Sequence, residues 1–133
     1  MSIEIKSPPH DLNAEERIIA SVLVSSEEVE HLVGSLGCDN FYDSFLRDTW
    51  DAIKALHLDG EPIDIITMTE VMSKSGHDGE QVSGRLCRIV GELPPIPFPT
   101  NELVARLQLA TYKRAILRVG THLINLAWGI NDE

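Results

Sequence analysis

The side chains able to do chemistry in this 133-residue sequence are few and scattered. Metal ligation needs His, Cys, Asp or Glu at short, regular spacing. His10, His31, His57, His77 and His122 are far apart, and neither His-Glu-x-x-His nor Cys-x-x-Cys occurs. A serine or cysteine nucleophile and its base can assemble from distant positions, but no Gly-x-Ser-x-Gly elbow is present. A loop that cradles phosphates carries Gly-Lys-Ser/Thr. None of the nine glycines is followed by lysine, which excludes a Walker A nucleotide site within this sequence, and Gly-x-Gly-x-x-Gly is absent too. Acidic pairs are plentiful, yet most fall in first helical turns, where they complement the helix dipole. The residues therefore predict no catalytic, cofactor-binding or metal-binding group here.

Charge points the same way. Residues 1–80 carry 17 Asp/Glu against 5 Lys/Arg, whereas residues 81–133 carry 4 against 6. A phosphate backbone is bound by clustered cations, so the first two-thirds repels nucleic acid and suits a basic protein partner or plain solvation. Arg106, Lys113, Arg114 and Arg118 form a modest cluster near the C-terminus, enough for weak, salt-sensitive contact with DNA and no more. The N-terminus has no apolar signal segment, and no apolar run approaches the ~20 residues of a membrane span. Cys38 and Cys87 are expected as reduced thiols, and a cytoplasmic location is expected.

The elements that would carry these residues read as helices. Asn13-Ala-Glu-Glu16, Ser25-Ser-Glu-Glu28 and Thr67-Met-Thr-Glu70 each look like a capping box, and Ile66 and Val71 look like the staple of the third. Ile18, Ile19, Val22 and Leu23 recur at helical spacing after the first, and Val29, Leu32, Val33 and Leu36 after the second, with Gly37 as its end. A third helix starts near Asp43 and places Leu46, Trp50, Ile53 and His57 on one stripe, stopping at Gly60. A helix from about Gln81 to Glu92 buries Val82, Leu86, Ile89 and Val90. Pro94-Pro-Ile-Pro-Phe-Pro99 is a loop. Thr100 is expected to cap a long helix running to about Trp128, with Gly120 as its weak point. The only β-like run is Ile63–Thr67. The expected fold class is all-α: residues 1–12 as an extended arm, 13–99 as a compact multi-helix head, and 100–133 as a long C-terminal helix that starts a helical hairpin. Low aromatic content, 5%, predicts an aliphatic core.

Pro8-Pro9-His10, Ala14-Glu15 and the apolar helix to Leu23 resemble the start of the N-terminal domain of DnaB-type replicative helicases, with Glu16 where Gln is common. The likeness continues through Phe41-Tyr42, the ladder Trp50, Ile53, Leu56, and Gly60-Glu-Pro62-Ile-Asp64-Ile-Ile-Thr67, which matches Gly-x-Pro-x-Asp-x-x-Thr. Asn101 and Arg114 match an Asn before, and an Arg within, the long helix, so the resemblance covers about residues 8 to 118. The sequence departs from the family at Val82-Ser-Gly-Arg-Leu86, in the proline loop, and at Val104, where tyrosine is common.

That resemblance implies a non-catalytic assembly and partner-docking domain. Such domains pair, build a trimer-of-dimers collar on a hexameric ring, and contact primase and in some cases a helicase loader. ATP and Mg²⁺ belong to a RecA-like C-terminal domain that this sequence lacks. Pro9, His10, Asn13, Glu16, Trp50, Gly60, Pro62, Asp64 and Thr67 carry the structural signature. Leu103, Leu107, Arg114, Leu117, Leu123 and Ile124 are the expected self-association and partner surface. The alternative expectation is a stand-alone phage or plasmid regulator that mimics the collar.

Overall fold

The computed structural model of the chain describes residues 7–92 and 100–129. Six α-helices follow one another: α1 Leu12–Val24, α2 Val29–Ser35, α3 Ser44–Leu58, α4 Ile65–Lys74, α5 Gly79–Gly91 and α6 Thr100–Ala127. Short 3-10 turns at Ser26–Glu28 and Cys38–Asn40 lead into α2 and toward α3. No strand occurs among the described residues, and Ile65–Thr67 is the first turn of α4. The proline loop lies outside the described residues, as do residues 1–6.

Aspartate starts four of these helices. Asp11 Oδ1 accepts from the Ala14 N–H at 3.0 Å, and Asp43 Oδ2 from the Leu46 N–H at 3.0 Å. Asp64 Oδ1 accepts from Thr67 N–H at 2.8 Å, and Asp78 Oδ1 from Glu80 N–H at 2.9 Å. Each satisfies amides that the first turn leaves without a partner. All three expected capping boxes are thereby corrected. Asn13 lies inside α1, where its Oδ1 accepts from Arg17 Nε at 2.6 Å. Glu16 faces Arg88 of α5 at 3.6 Å. Ser25 closes α1 as its C-cap, and α2 begins at Val29 with no side-chain cap. Thr67 is the third residue of α4, not its cap.

The Gly60-x-Pro62-x-Asp64-x-x-Thr67 signature has a physical content. Gly60 takes φ +68°, open to glycine at little cost. Its N–H and that of Glu61 bond back to His57 O at 3.2 Å and Leu56 O at 3.0 Å, a Schellman end to α3. Four residues later Asp64 and Thr67 exchange side-chain and backbone bonds, and the Thr67 hydroxyl donates to Pro62 O at 2.9 Å. One helix is closed and the next opened within eight residues. Ile66 is exposed, so it staples nothing; Ile63, just ahead of the cap, packs against the core. Gly76, φ +102°, ends α4 by the same device, and α5 then starts two residues earlier than the apolar spacing predicts. Gly37 does not use it: its φ is −111°, and α2 ends at an extended Leu36.

One apolar cluster unites the head and the start of α6. Ile18, Ile19, Leu32, Phe41, Leu46, Trp50, Ile53, Met68, Met72, Leu86 and Leu107 are all within it. Trp50 is fully enclosed, stacks on Phe41 at 5.2 Å, and donates its indole N–H to Leu36 O at 3.3 Å. Val90 is half-buried, a small departure from its expected burial. Cys38 and Cys87 are free thiols.

Candidate protein-interaction surface

The arm is tied down at Arg114. Ser7 to His10 is extended, as two prolines require. The Arg114 guanidinium donates to Pro9 O at 2.9 Å, to Asp39 O at 2.9 Å and to the Thr111 hydroxyl at 3.2 Å. The His10 ring stacks on Tyr42 at 4.3 Å, and its Nδ1–H donates to Pro8 O at 2.7 Å. Pro-Pro-His is thus a strap that joins the start of the chain to the middle of α6.

Beneath the strap lies a charge that sequence reasoning missed. Glu15 is wholly buried, and its Oε1 accepts the backbone N–H groups of Tyr42, at 3.0 Å, and Asp43, at 3.1 Å. Its Oε2 has no hydrogen-bond partner among the described residues. Burial pushes the carboxyl above its ordinary pKa, against the opposing pull of those two amides and of Arg114. The Ala14-Glu15 pair carried no signal for this, because the two amides it serves come from a loop 27 and 28 positions away.

Beyond Arg114, α6 leaves the head. Leu103 and Leu107, expected on the association surface, are enclosed with Val104 and Ala110 in the head core. They anchor the helix and are corrected to that role. Arg114 is half-buried and engaged by its own chain. Leu117, Leu123 and Ile124 are exposed, at 51, 59 and 55%. Leu109, Tyr112, Ile116, Val119, Leu126 and Trp128, missing from the expected set, are exposed with them.

These residues form two rows. Leu109, Tyr112, Ile116, Val119, Leu123 and Leu126 recur in alternating steps of three and four. That is the spacing of a coiled-coil seam, and it falls on the side of the helix turned away from Leu103, Leu107 and Ala110. Leu117, Ile124 and Trp128 continue the head-facing row past the end of the head. The 3-4 pattern was the available signal for the outer row. Arg106 pairs with Glu102 at 2.9 Å, so α6 offers phosphate fewer free cations than its sequence suggests.

Among the described residues no group of three His, Cys, Asp or Glu is placed to hold a metal ion. No described helix is long and apolar enough to cross a membrane.

Comparison with known proteins agrees with this architecture. The profile of the DnaB-like helicase N terminal domain matches residues 7–95. The "Replicative DNA helicase DnaB" of Leifsonia xyli is 37% identical over 128 residues, which are 96% of this chain and 28% of that protein. A "Probable replicative DNA helicase" of Trieres chinensis is 29% identical over 127 residues, 92% of this chain and 27% of its own length. The chain therefore spans little more than a quarter of these relatives. The crystal structure of the N-terminal domain of DnaB helicase from Mycobacterium tuberculosis superposes with a TM-score of 0.84 at 20% identity, covering 95% of this chain and 88% of that one. A strapped helical head with a projecting helix, the ordered motifs from Pro8 to Arg114 and a profile match over most of the chain together place this protein in the DnaB-like helicase N-terminal domain family.

Proposed function

We propose that this chain is the non-catalytic assembly and partner-docking domain of a replicative DNA helicase. In this reading it pairs with copies of itself in the collar of a hexameric ring and meets primase, and in some settings a loader, during DNA replication in the cytoplasm. ATP and Mg²⁺ act in a RecA-like domain of the parent enzyme. The observation that carries the reading is the outer row of α6, from Tyr112 to Leu126, which no part of the described head covers. Exposed apolar patches of that extent mark interfaces, and a pair of like surfaces is the commonest way to bury one. The cost of leaving it bare is about 25 cal/mol for each Å².

Sedimentation equilibrium over a range of concentrations tests this. The native chain should associate, and Ile116→Glu with Leu123→Glu should hold it monomeric while leaving the helical circular dichroism of the head. A native chain that stays monomeric at every concentration overturns self-association through this row. A second titration, with primase, should show binding. With duplex and single-stranded DNA at low salt it should show little, since the head is acidic.

A further inference from the structure

The head carries a second surface, at the end away from the strap. A shallow cleft of about 620 Å³ lies between the start of α2 and the turn after α3, lined by Glu27, Val29, Glu30, His57, Glu61 and Ile63, with Gly60 and Pro62 at its edge. Its floor is partly apolar, and Leu58, next in sequence to the lining residue His57, is 80% exposed. The segments that wall it, residues 24–30 and 55–66, hold six carboxylates and no Lys or Arg. Among the described residues none of Glu27, Glu30, Asp59 and Glu61 takes part in an ion pair.

Two of these acids have no local reason to be there. Glu27 and Glu30 sit at the start of α2, where a helix dipole favours negative charge. Asp59 and Glu61 sit at the end of the fifteen-residue α3, where the dipole opposes it. The fold keeps like charges together at a helix end and beside exposed Leu58. Local conflicts of this kind are tolerated where function gains from them.

The geometry points to a docking site for a cationic amphipathic helix of another protein. Its apolar stripe would lie on Leu58, Pro62 and Ile63, and its lysines or arginines would reach Glu27, Glu30, Asp59 and Glu61. Charge complementarity selects this occupant. Nucleic acid is repelled by the same carboxylates, and an uncharged apolar helix would leave them unpaired. The inference deepens the partner-docking reading above, and it is independent of α6 association, which uses other residues.

The test is a titration of the ¹⁵N-labelled chain with a synthetic helix of about 18 residues, long enough to hold its shape, bearing a leucine stripe flanked by lysines. Amide shifts are expected at residues 27–30 and 57–63. A peptide of equal charge with serine in place of leucine should bind about tenfold more weakly, as should the leucine peptide to the Glu27→Gln, Glu30→Gln, Glu61→Gln variant. That variant should keep the native helical circular dichroism and α6 association, with only the small loss of stability expected from two charges at the start of α2. Shifts confined to α6, equal affinity for both peptides, or affinity unchanged in the variant would each overturn the proposal. So would no binding at about millimolar peptide.

Discussion

Leu107 and Leu123 share one helix and one residue type, and they differ only in their surroundings. Leu107 is wholly enclosed by α6's contacts with the head, whereas Leu123 is 59% exposed. The first half of α6 belongs to the fold, and the second half is held out from it. The boundary is Arg114, which bonds the arm and the Cys38–Asn40 turn. A single helix therefore has a part packed into the fold and a part whose apolar residues stay exposed, and helical periodicity is the same in both.

The difference between the two halves gives a graded set of expectations. Trp50→Ala, deep in the head, should lower stability by about 3–5 kcal/mol in thermal or denaturant unfolding, enough to unfold a marginal domain. Leu107→Ala should cost about 2–5 kcal/mol by the same cavity argument. Leu123→Ala should change monomer stability by no more than about 0.5 kcal/mol, with its effect appearing in sedimentation instead. Equal melting losses at Leu107 and Leu123 would erase the boundary at Arg114.

Glu15 sharpens the comparison from inside the head. Its folded pKa is raised, so in the window between the ordinary carboxylate value and the raised one the folded state binds more protons than the unfolded state. Stability from this group is fully present below the unfolded pKa and is lost as pH rises through the folded one. Glu15→Gln keeps an acceptor for the Tyr42 and Asp43 amides without the charge. The difference in unfolding free energy between native and variant should therefore shift in the variant's favour as pH rises through that window. A difference independent of pH would contradict the raised pKa.

The smallest expected effect separates two neighbouring residues. Asp11→Ala should cost about 0.5–2 kcal/mol, the range for a helix cap. Asn13→Ala should stay within about 0.5 kcal/mol, because Asn13 is exposed and accepts from Arg17 one turn on rather than from a first-turn amide. The reverse order would restore the cap to Asn13.

This last pair shows why some features were legible in the sequence and others were not. Apolar spacing located the helices and most of the core, because burial of one face is what spacing records. Cap positions slipped by two or three residues. In an acid-rich head, Ser, Thr or Asn followed by Glu three positions later arises repeatedly, and the pattern cannot see that Asp11 and Asp64 have already opened α1 and α4 upstream. Leu103 and Leu107 were misplaced for a different reason: helical spacing says which residues share a face, not whether a neighbour covers it. Glu15 was invisible because its partners come from a distant loop. The ordered motifs, by contrast, identified the family at once, since Gly60, Pro62, Asp64 and Thr67 encode a local geometry in consecutive residues.

The strap and the core packing of Leu103, Leu107 and Ala110 join the first half of α6 to the described head. Residues 115–127 then continue as one uninterrupted helix, about 20 Å long at 1.5 Å per residue. A tilt of about 10° at the base would sweep its tip through about 3 Å, most of the ~4 Å over which side chains count as touching. A partner bound at the far end would feel a small rotation of the head as a larger displacement there.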